Sequence, residues 1–379
     1  MSVVQTYFVL TKPRQFDIDL LVKEGFQTAS PRAHGGIYYH KNIKDNIIDF
    51  STNVNPLGPS SKVISTIRKN LKLISSYPDP DAKELKEAIV EYADVDSEHI
   101  VVGNGANELI HLFADAFVKK GDKAVIPIPT FFEYEFACDK NSASITYVEL
   151  NDFMFSSDSM IDAIDNGTKV VFICNPNNPS GMLANRDDIE RVLEHAYNNN
   201  SLVMLDECFM DFVDDSEKHS FAKHINRYEN LVVLRTLTKV FGLAGLRVGY
   251  CLAGKKIAKI LNRVKVPWSI NALAQKAAVV ALNDIAYLNR TKSLIRRERK
   301  YLYNNIAKMH QYRPYRTDTN FFLIKLVKSD SLSVQERLLK KRMLVRDCST
   351  FTGMSTDFIR VAVQKHDANK LLINALKEI

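Results

Sequence analysis

The 379-residue sequence contains few cysteines, and they form no closely spaced pair. The five cysteines stand at positions 138, 174, 208, 251 and 348, and no CxxC motif occurs. This spacing argues against a disulfide framework and against a zinc site, so we expect no bound metal. Isolated thiols are typical of reducing compartments, and the predicted location is therefore the cytoplasm.

The sequence also lacks a long hydrophobic run and a block of like charges. The N-terminal stretch "MSVVQTYFVLTKPRQF" has neither a basic start nor a long apolar segment, which argues against a signal peptide and a membrane span. The net charge is +7, but the charges are scattered, so we expect no nucleic-acid partner. An anionic small molecule would suit this mildly basic balance.

The sequence lacks the motifs that are typical of two other functional classes. No G-x-G-x-x-G follows an early strand pattern, which argues against a nicotinamide-dependent dehydrogenase. No segment of helix-turn-helix size precedes residue 45, which argues against a transcription regulator.

Short apolar runs of strand length recur through the middle of the chain without strict alternation. Such runs are typical of strands that are covered on both faces. A helical pattern at 187–200 precedes one of them, and alternating strands and helices predict a mainly parallel sheet in a three-layer α/β domain. The runs occupy residues 123–129, 169–174, 201–206, 231–236 and 246–252.

The pattern changes after Pro267. A long charged helical stretch at about 270–310 is followed by strand-like runs at 320–326, 342–348 and 357–363, which predict a smaller α+β domain. Two domains are also the natural expectation for this length. We predict an N-terminal arm at 1–55 that joins the small domain, a large domain at 56–267 and a small domain at 268–379.

Polar groups stand at the ends of several predicted strands, where ligands of open α/β sheets bind. "GNGANELIHLF" (103–113) is a glycine turn leading into a helix, a suitable anion site or an ordinary helix start. "CNPNNPSG" (174–181) holds Asn178 in a proline-bracketed loop, which is otherwise a simple turn. Asp206 follows "SLVML" directly, so we expect a partly buried carboxylate that needs a cationic partner.

"LVVLRTLTKVFGLAGLRVGY" (231–250) holds Lys239 just after a strand. A lysine there is usually a solvated charge, but bound pyridoxal 5'-phosphate would explain it together with the other strand ends. The aldehyde needs a primary amine, the ring nitrogen stays protonated beside an ionised Asp206, and Asn178 can donate to the phenolic oxygen. Phe131 in "PTFFEYEF" can cover the ring. N–H groups, hydroxyls and a cation for the phosphate are available at Gly105, Ala106, Asn107, Thr236, Thr238 and Arg247.

These motifs resemble those of fold-type-I pyridoxal-phosphate enzymes of the aspartate aminotransferase superfamily, over roughly residues 45 to 375. The resemblance rests on "YPDPDAKELKEAI", "GNGANELI", "NPNNPSG", "DECFMDF" and "RTLTKVFGLAGLRVGY". It implies pyridoxal 5'-phosphate as the cofactor and the fold-type-I architecture. Tyr77 matches the family tyrosine that reaches the cofactor phosphate of the neighbouring subunit, which implies a homodimer with shared active sites.

Within the superfamily, the sequence most resembles L-threonine-O-3-phosphate decarboxylases of cobalamin biosynthesis and next the histidinol-phosphate aminotransferases. "AHGG" (33–36) ahead of "IIDFSTNVNPLG" and the stretch "VPWSINALAQKAA" (266–278) are similar to the decarboxylases. Phe209, expected beside the cofactor, stands where the aminotransferases typically have tyrosine. Transamination of histidinol phosphate with 2-oxoglutarate and decarboxylation of L-serine O-phosphate remain alternatives.

The resemblance also implies the substrate contacts, for a small phosphorylated amino acid. Arginine forks suit carboxylate and phosphate, so Arg346 and Arg360 are expected to orient the substrate, with the assignment between the two anionic groups left open. The further expected contacts are His34, Asn53, Asn178 and Asn271. No role is assigned to residues 1–30.

Overall fold

The computed structural model describes Val22, Phe26, residues 35–39 and residues 46–379. Its strands are β1 (Ile48–Asp49), β2 (Ile100–Gly103), β3 (Lys123–Ile128), β4 (Ser144–Glu149), β5 (Thr168–Cys174), β6 (Leu202–Asp206), β7 (Leu231–Thr236), β8 (Gly249–Ala253), β9 (Tyr312–Pro314), β10 (Phe321–Leu326), β11 (Met343–Leu344), β12 (Arg346–Asp347) and β13 (Phe358–Ala362). Its α-helices are α1 (Ser61–Lys69), α2 (Lys83–Ala93), α3 (Ala106–Phe117), α4 (Glu133–Lys140), α5 (Ser157–Ala163), α6 (Arg186–Asn198), α7 (Ser216–His219), α8 (Lys255–Val264), α9 (Ala272–Leu282), α10 (Ile285–Ile306), α11 (Ser331–Lys340) and α12 (His366–Glu378).

A seven-stranded sheet has the order β2-β8-β7-β6-β5-β3-β4. Strands β7, β6, β5, β3 and β4 run parallel, whereas β8 is antiparallel to both of its neighbours. The predicted mainly parallel sheet is therefore confirmed. The sequence pattern missed β2, which has four residues, and β4, an edge strand with mostly solvent-facing side chains, because neither forms a long apolar run.

The large sheet is covered by helices on both faces. Phe172 of β5 belongs to an apolar cluster with Phe113 of α3, while the next residue, Ile173, belongs to a different cluster with Ile189 of α6. Successive strand residues point to opposite faces, so the continuous apolar runs of β5 to β7 supply both cores. Each fully buried side chain of this size contributes about 1.5–3 kcal/mol of hydrophobic stabilisation.

A second, antiparallel sheet is built by the C-terminal part of the chain, in the order β12-β13-β10-β9. The single strand predicted at 342–348 is wrong, because the run divides into β11 and β12, which belong to different sheets. β11 pairs in parallel with β1, whereas β12 pairs with β13. The described part of the N-terminal arm thus joins the C-terminal region through β1, and the three domain boundaries stay a prediction.

The single long helix predicted at 270–310 is also wrong, because α9 ends at Leu282 and α10 begins at Ile285. Asn283 and Asp284 separate the two helices. Short polar side chains of this kind compete with helical hydrogen bonds and favour helix ends. Across the described ranges, none of the helices combines the length and the apolar character that crossing a bilayer requires.

The loop after β7 packs against the segment around Asn55. The Asn55 backbone N–H donates to the Lys239 carbonyl at 3.1 Å, and its side-chain amide donates to the Val240 carbonyl at 2.7 Å. Gly242 has a φ of +70°, and a Cβ there would lie 2.6 Å from the carbonyl carbon and oxygen of Gly58. Glycine is therefore required where this loop meets the segment.

We expect Gly242→Ala to lower the free energy of unfolding by about 1–3 kcal/mol from backbone strain alone, with the steric clash adding to it. Urea unfolding of the purified protein measures the loss. Gly245→Ala is the matched control, because Gly245 lies three residues away with open space around its Cβ position. Equal stability of the two variants would contradict the proposed packing constraint.

Candidate active site

The candidate site lies where neighbouring parallel strands end. β5 ends at Cys174, β6 at Asp206 and β7 at Thr236, and the strand register sets Cys174 beside Asp206. A cavity opens at these ends and reaches the second sheet. It brings together most of the residues selected from the sequence: Asn53, Ala106, Asn107, Phe131, Asn178, Asp206, Phe209, Thr236, Thr238, Lys239, Arg247, Arg346 and Arg360.

One end of the cavity forms a cradle around the N-terminus of α3. Gly105 precedes this helix with a φ of +83°, and a Cβ there would lie 2.6 Å from an Arg247 guanidinium nitrogen. Gly249 allows a similarly close approach, since its Cβ would lie 3.2 Å from the Ala106 backbone nitrogen. The free N–H groups of the helix start and the guanidinium therefore converge on one place, as an anion requires.

Two hydroxyls complete this cradle. Thr236 and Thr238 are buried, and their hydroxyl oxygens lie 3.0 Å apart. The Thr236 hydroxyl also donates to the Val248 carbonyl at 3.2 Å. N–H groups, hydroxyls and a guanidinium form a donor set that matches a phosphate group.

Asp206 is a buried carboxylate held by neutral donors. Its two oxygens accept hydrogen bonds from the Tyr134 hydroxyl at 2.6 Å and from the Cys208 backbone N–H at 2.8 Å. Burial raises the pKa of Asp206, although these donors oppose the shift. Among the described residues no cation forms an ion pair with Asp206, although the nearby Lys239 amine also opposes the rise in its pKa. A ligand with a cationic group would supply the partner expected from the sequence.

Lys239 presents a half-buried amine to the cavity, 5.7 Å from the centre of the Phe209 ring. Burial, together with the positive charges of Arg360 and Arg247, lowers the pKa of Lys239 to about 8. A larger share of the amine is therefore neutral and nucleophilic near neutral pH than in an exposed lysine.

Asn178 and Arg360 contact each other across the cavity. An Arg360 guanidinium N–H donates to the Asn178 side-chain oxygen, and another donates to the Ser51 carbonyl at 2.9 Å. Because its oxygen is occupied, Asn178 has its amide N–H₂ group left to donate to a ligand. The Arg360 Nε is buried and has no hydrogen-bond partner among the described residues.

Arg346 and Arg360 stand directly opposite each other on β12 and β13, and both are buried. Phe351 packs against both guanidinium groups, with 5.5 Å and 6.0 Å between ring centre and guanidinium carbon. Burial lowers the pKa of Arg360 to about 10, and the like charge of Arg346 contributes. Two adjacent buried cations favour an anionic ligand between the sheets.

Asn53 reaches the cavity from the segment that follows β1. Its side-chain oxygen is buried and has no hydrogen-bond partner among the described residues. Gly35 also lines the cavity and contacts this segment, while the Gly36 N–H donates to the Ser51 hydroxyl at 2.8 Å. His34 lies outside the described residues.

Three of the selected residues that the structure describes do not line the cavity: Gly105, which precedes the helix of the cradle, Tyr77 and Asn271. Tyr77 is 82% exposed and stacks on Trp268 with ring centres 4.9 Å apart. Asn271 is the N-cap of α9, where its side chain accepts a hydrogen bond from the Ala274 backbone N–H at 2.8 Å. Asn271 does not line the cavity of the described chain, and its side chain caps the helix, so its expected substrate contact stays a prediction.

Sequence reasoning missed Tyr134 and Phe351. Tyr134 lies one helical turn after Phe131, a spacing that indicates a shared side of the chain but not a contact with Asp206. Phe351 follows β12 in a loop, and no residue pattern marks it. Both become apparent only when separate strand ends are brought together in space.

The residues present fit pyridoxal 5'-phosphate. Lys239 supplies the primary amine, and Asp206 is an unpaired buried carboxylate that would hold a protonated ring nitrogen. The cradle at Gly105 suits the phosphate. Phe131 lines the same cavity, where an aromatic ring can cover the pyridine face.

Known proteins resemble the chain over nearly its whole length. The model of the family described as aminotransferase class I and II matches residues 45–376. The histidinol-phosphate aminotransferase of Methanocaldococcus jannaschii is 34% identical over 88% of this chain and 90% of that protein. A Caldanaerobacter subterraneus protein named "Putative threonine-phosphate decarboxylase" is 36% identical over 94% of this chain and 96% of its own length. The crystal structure of histidinol-phosphate aminotransferase from Clostridium acetobutylicum superimposes with a TM-score of 0.83 and 31% identity, covering 88% of this chain and 98% of that one.

The lowered pKa of Lys239 predicts the pH dependence of cofactor capture. The rate at which the cofactor-free protein binds pyridoxal 5'-phosphate covalently should rise about tenfold per pH unit at low pH, because only the neutral amine attacks. It should level off above the pKa of about 8. Stopped-flow absorbance across the pH range measures the profile.

Arg360→Gln should raise the pH at which the rate reaches half of its plateau value, the midpoint of the profile. The substitution removes a positive charge that lowers the pKa of Lys239. Arg313→Gln is the matched control, since Arg313 is exposed on β9 and does not line the cavity. A midpoint near the ordinary lysine value in the unaltered protein would contradict the assignment of Lys239.

Proposed function

Since the chain belongs to the aminotransferase class I and II family, we propose that it decarboxylates L-threonine O-3-phosphate to (R)-1-aminopropan-2-yl phosphate and carbon dioxide. The fold is that of the fold-type-I enzymes, and the cofactor is pyridoxal 5'-phosphate. The product would serve cobalamin biosynthesis. Both the decarboxylase and the aminotransferase activity exist among the relatives by name, so the choice between them rests on the site.

The observation that carries the proposal is the phenyl ring of Phe209. This side chain is buried, packs edge-on against Phe321 at 5.0 Å and faces the Lys239 amine. The aminotransferases that the sequence resembles typically have tyrosine here, whose hydroxyl donates to the phenolic oxygen of the cofactor. A phenyl ring cannot donate, so Asn178 would be the side-chain donor to that oxygen.

The glycines of "AHGG" give further support. Gly35 lines the cavity, and a Cβ at this position would lie 2.6 Å from the Ser51 carbonyl oxygen. The same carbonyl accepts a hydrogen bond from Arg360. The segment that resembles the decarboxylases is therefore in contact with the backbone that also holds a predicted substrate arginine.

The reaction would depend on how the chain orients its substrate. When bound, the cofactor supplies an electron sink for the bond that lies perpendicular to its ring. L-threonine O-3-phosphate carries a carboxylate and a phosphate, and Arg346 and Arg360 would hold these two groups. Lys239, released when the substrate amine binds, would deliver a proton to the α-carbon after carbon dioxide leaves.

Transamination of histidinol phosphate with 2-oxoglutarate is the second candidate, favoured by the similarity to aminotransferases of that name. The paired arginines would serve it too, because 2-oxoglutarate carries two carboxylates. L-serine O-phosphate is the alternative decarboxylation substrate. It lacks one methyl group, which a pocket distinguishes by only about 1–3 kcal/mol.

Product analysis tests the proposed reaction directly. We expect the cofactor-loaded protein to release carbon dioxide and aminopropanol phosphate from L-threonine O-3-phosphate, and to form no glutamate from histidinol phosphate and 2-oxoglutarate. Lys239→Ala protein is the control, because it lacks the amine that the reaction requires. Glutamate without carbon dioxide would replace the proposal with transamination, and parallel L-serine O-phosphate reactions compare the two decarboxylation substrates.

The active site is proposed to be shared between the subunits of a homodimer. Tyr77 is exposed beside Trp268, outside the cavity of its own chain, yet it resembles the tyrosine that binds the cofactor phosphate of a neighbour. Leu71, Ile74 and Val266 are exposed apolar residues of the same surface region and would be buried by a second copy.

Tyr77→Phe should weaken the binding of pyridoxal 5'-phosphate about tenfold, because it removes one hydrogen bond to a charged group. Equilibrium dialysis measures the affinity, and sedimentation measures the dimer. Tyr197→Phe removes a hydroxyl from another exposed tyrosine and should leave the affinity unchanged. Unaltered affinity of Tyr77→Phe in an intact dimer would contradict the shared site.

A further inference from the structure

Tyr134 lies behind the cavity and contacts the carboxylate at its base. It is fully buried in the first turn of α4, and its hydroxyl donates to the Asp206 carboxylate at 2.6 Å. Burial and the Asp206 charge raise the pKa of the Tyr134 hydroxyl well above its ordinary value, so it remains a donor.

The ring of Tyr134 is fixed by aromatic packing on two sides. It stacks on Phe172 with 5.1 Å between ring centres and meets Phe131 edge-on at 5.8 Å. These contacts involve the ring alone, so they persist if the hydroxyl is removed. The packing role and the hydrogen-bonding role of Tyr134 can therefore be separated by experiment.

The groups around Asp206 determine how much its protonation state depends on the Tyr134 hydroxyl. The titratable groups that act on the carboxylate are Tyr134 from α4, the amine of Lys239 and the thiols of Cys174 at the end of β5, Cys208 and Cys251 on β8. The three cysteine thiols are neutral because burial raises their pKa. A buried carboxylate in such surroundings tends to take up a proton unless hydrogen bonds favour the charged form.

We propose that Tyr134 is a positioning residue that holds Asp206 as an ionised, correctly aimed partner for the ring nitrogen of pyridoxal 5'-phosphate. The Cys208 N–H fixes one carboxylate oxygen, and Tyr134 fixes the other. Without the hydroxyl, Asp206 would more readily carry the proton itself. The ring nitrogen would then lose the negative partner that keeps it protonated.

The test compares two ligands that differ only at the ring nitrogen. The dissociation constants of pyridoxal 5'-phosphate and of its 1-deaza analogue, with C–H in place of the nitrogen, are measured by equilibrium dialysis of the full chain. In the unaltered protein the analogue should bind more weakly. The measured quantity is the dissociation constant of the analogue divided by that of pyridoxal 5'-phosphate. In Tyr134→Phe this ratio should fall about tenfold, which corresponds to the loss of one hydrogen bond to a charged group.

Two controls separate this role from general damage. Tyr92→Phe removes another buried hydroxyl that donates to a carboxylate, Asp211 at 2.9 Å, and should leave the ratio unchanged. In an Asp206→Asn background, Tyr134→Phe should no longer alter the ratio, because its target is gone. If Tyr134→Phe fails to fold, Tyr134→His, which keeps a ring N–H donor, should retain the ratio within a few-fold.

An unchanged ratio in folded Tyr134→Phe would overturn the proposal, and so would an equal fall in Tyr92→Phe. A fall of about tenfold in the ratio in Tyr134→His would also overturn the proposal. No substrate is present in these measurements. The result is therefore independent of whether the loaded enzyme decarboxylates or transaminates.

Discussion

The buried ion pair of Arg235 holds the site in place from behind. Arg235 on β7 donates to Glu207 at 2.9 Å and to Asp211 at 2.9 Å, and all three side chains are buried. Arg235 immediately precedes Thr236, and Glu207 immediately follows Asp206. Because successive residues point to opposite faces, this network fixes two strand ends whose neighbouring residues form the cavity. Removing one partner of such a pair typically costs about 3–5 kcal/mol, since the other charge stays buried.

The carboxylates on the two sides of these strand ends have different partners. Glu207 and Asp211 share the guanidinium of Arg235, whereas Asp206 accepts hydrogen bonds from the Tyr134 hydroxyl and the Cys208 N–H and forms no ion pair with a guanidinium among the described residues. A ligand that brings a cationic ring nitrogen would compensate Asp206 in the folded state alone. Its binding energy would thereby add to the stability of the fold.

Sequence reasoning succeeded where a rule of topology connects distant residues. Asp206, Asn178 and Lys239 were brought together because ligands bind where neighbouring parallel strands end. It failed where the outcome depends on local competition, as at Asn283, where two helices replaced the single predicted one. The role of Tyr134 could not be predicted from the sequence, because a contact between α4 and the end of β6 depends on how the helix packs against the sheet.

In the proposed reaction, Arg346 and Arg360 would orient the substrate. These residues face each other in register at one wall of the cavity, so a substrate with two anionic groups has two ways to bind. The proposed decarboxylation would require the two arginines to hold the substrate so that its carboxylate is the group that leaves, whereas transamination would require them to present the α-hydrogen. Arg360 also donates hydrogen bonds to the side-chain oxygen of Asn178 and to the carbonyl of Ser51, and these contacts restrict its position. The group bound at Arg360 would therefore be fixed relative to the phenolic oxygen of the cofactor, and its identity would decide which bond breaks.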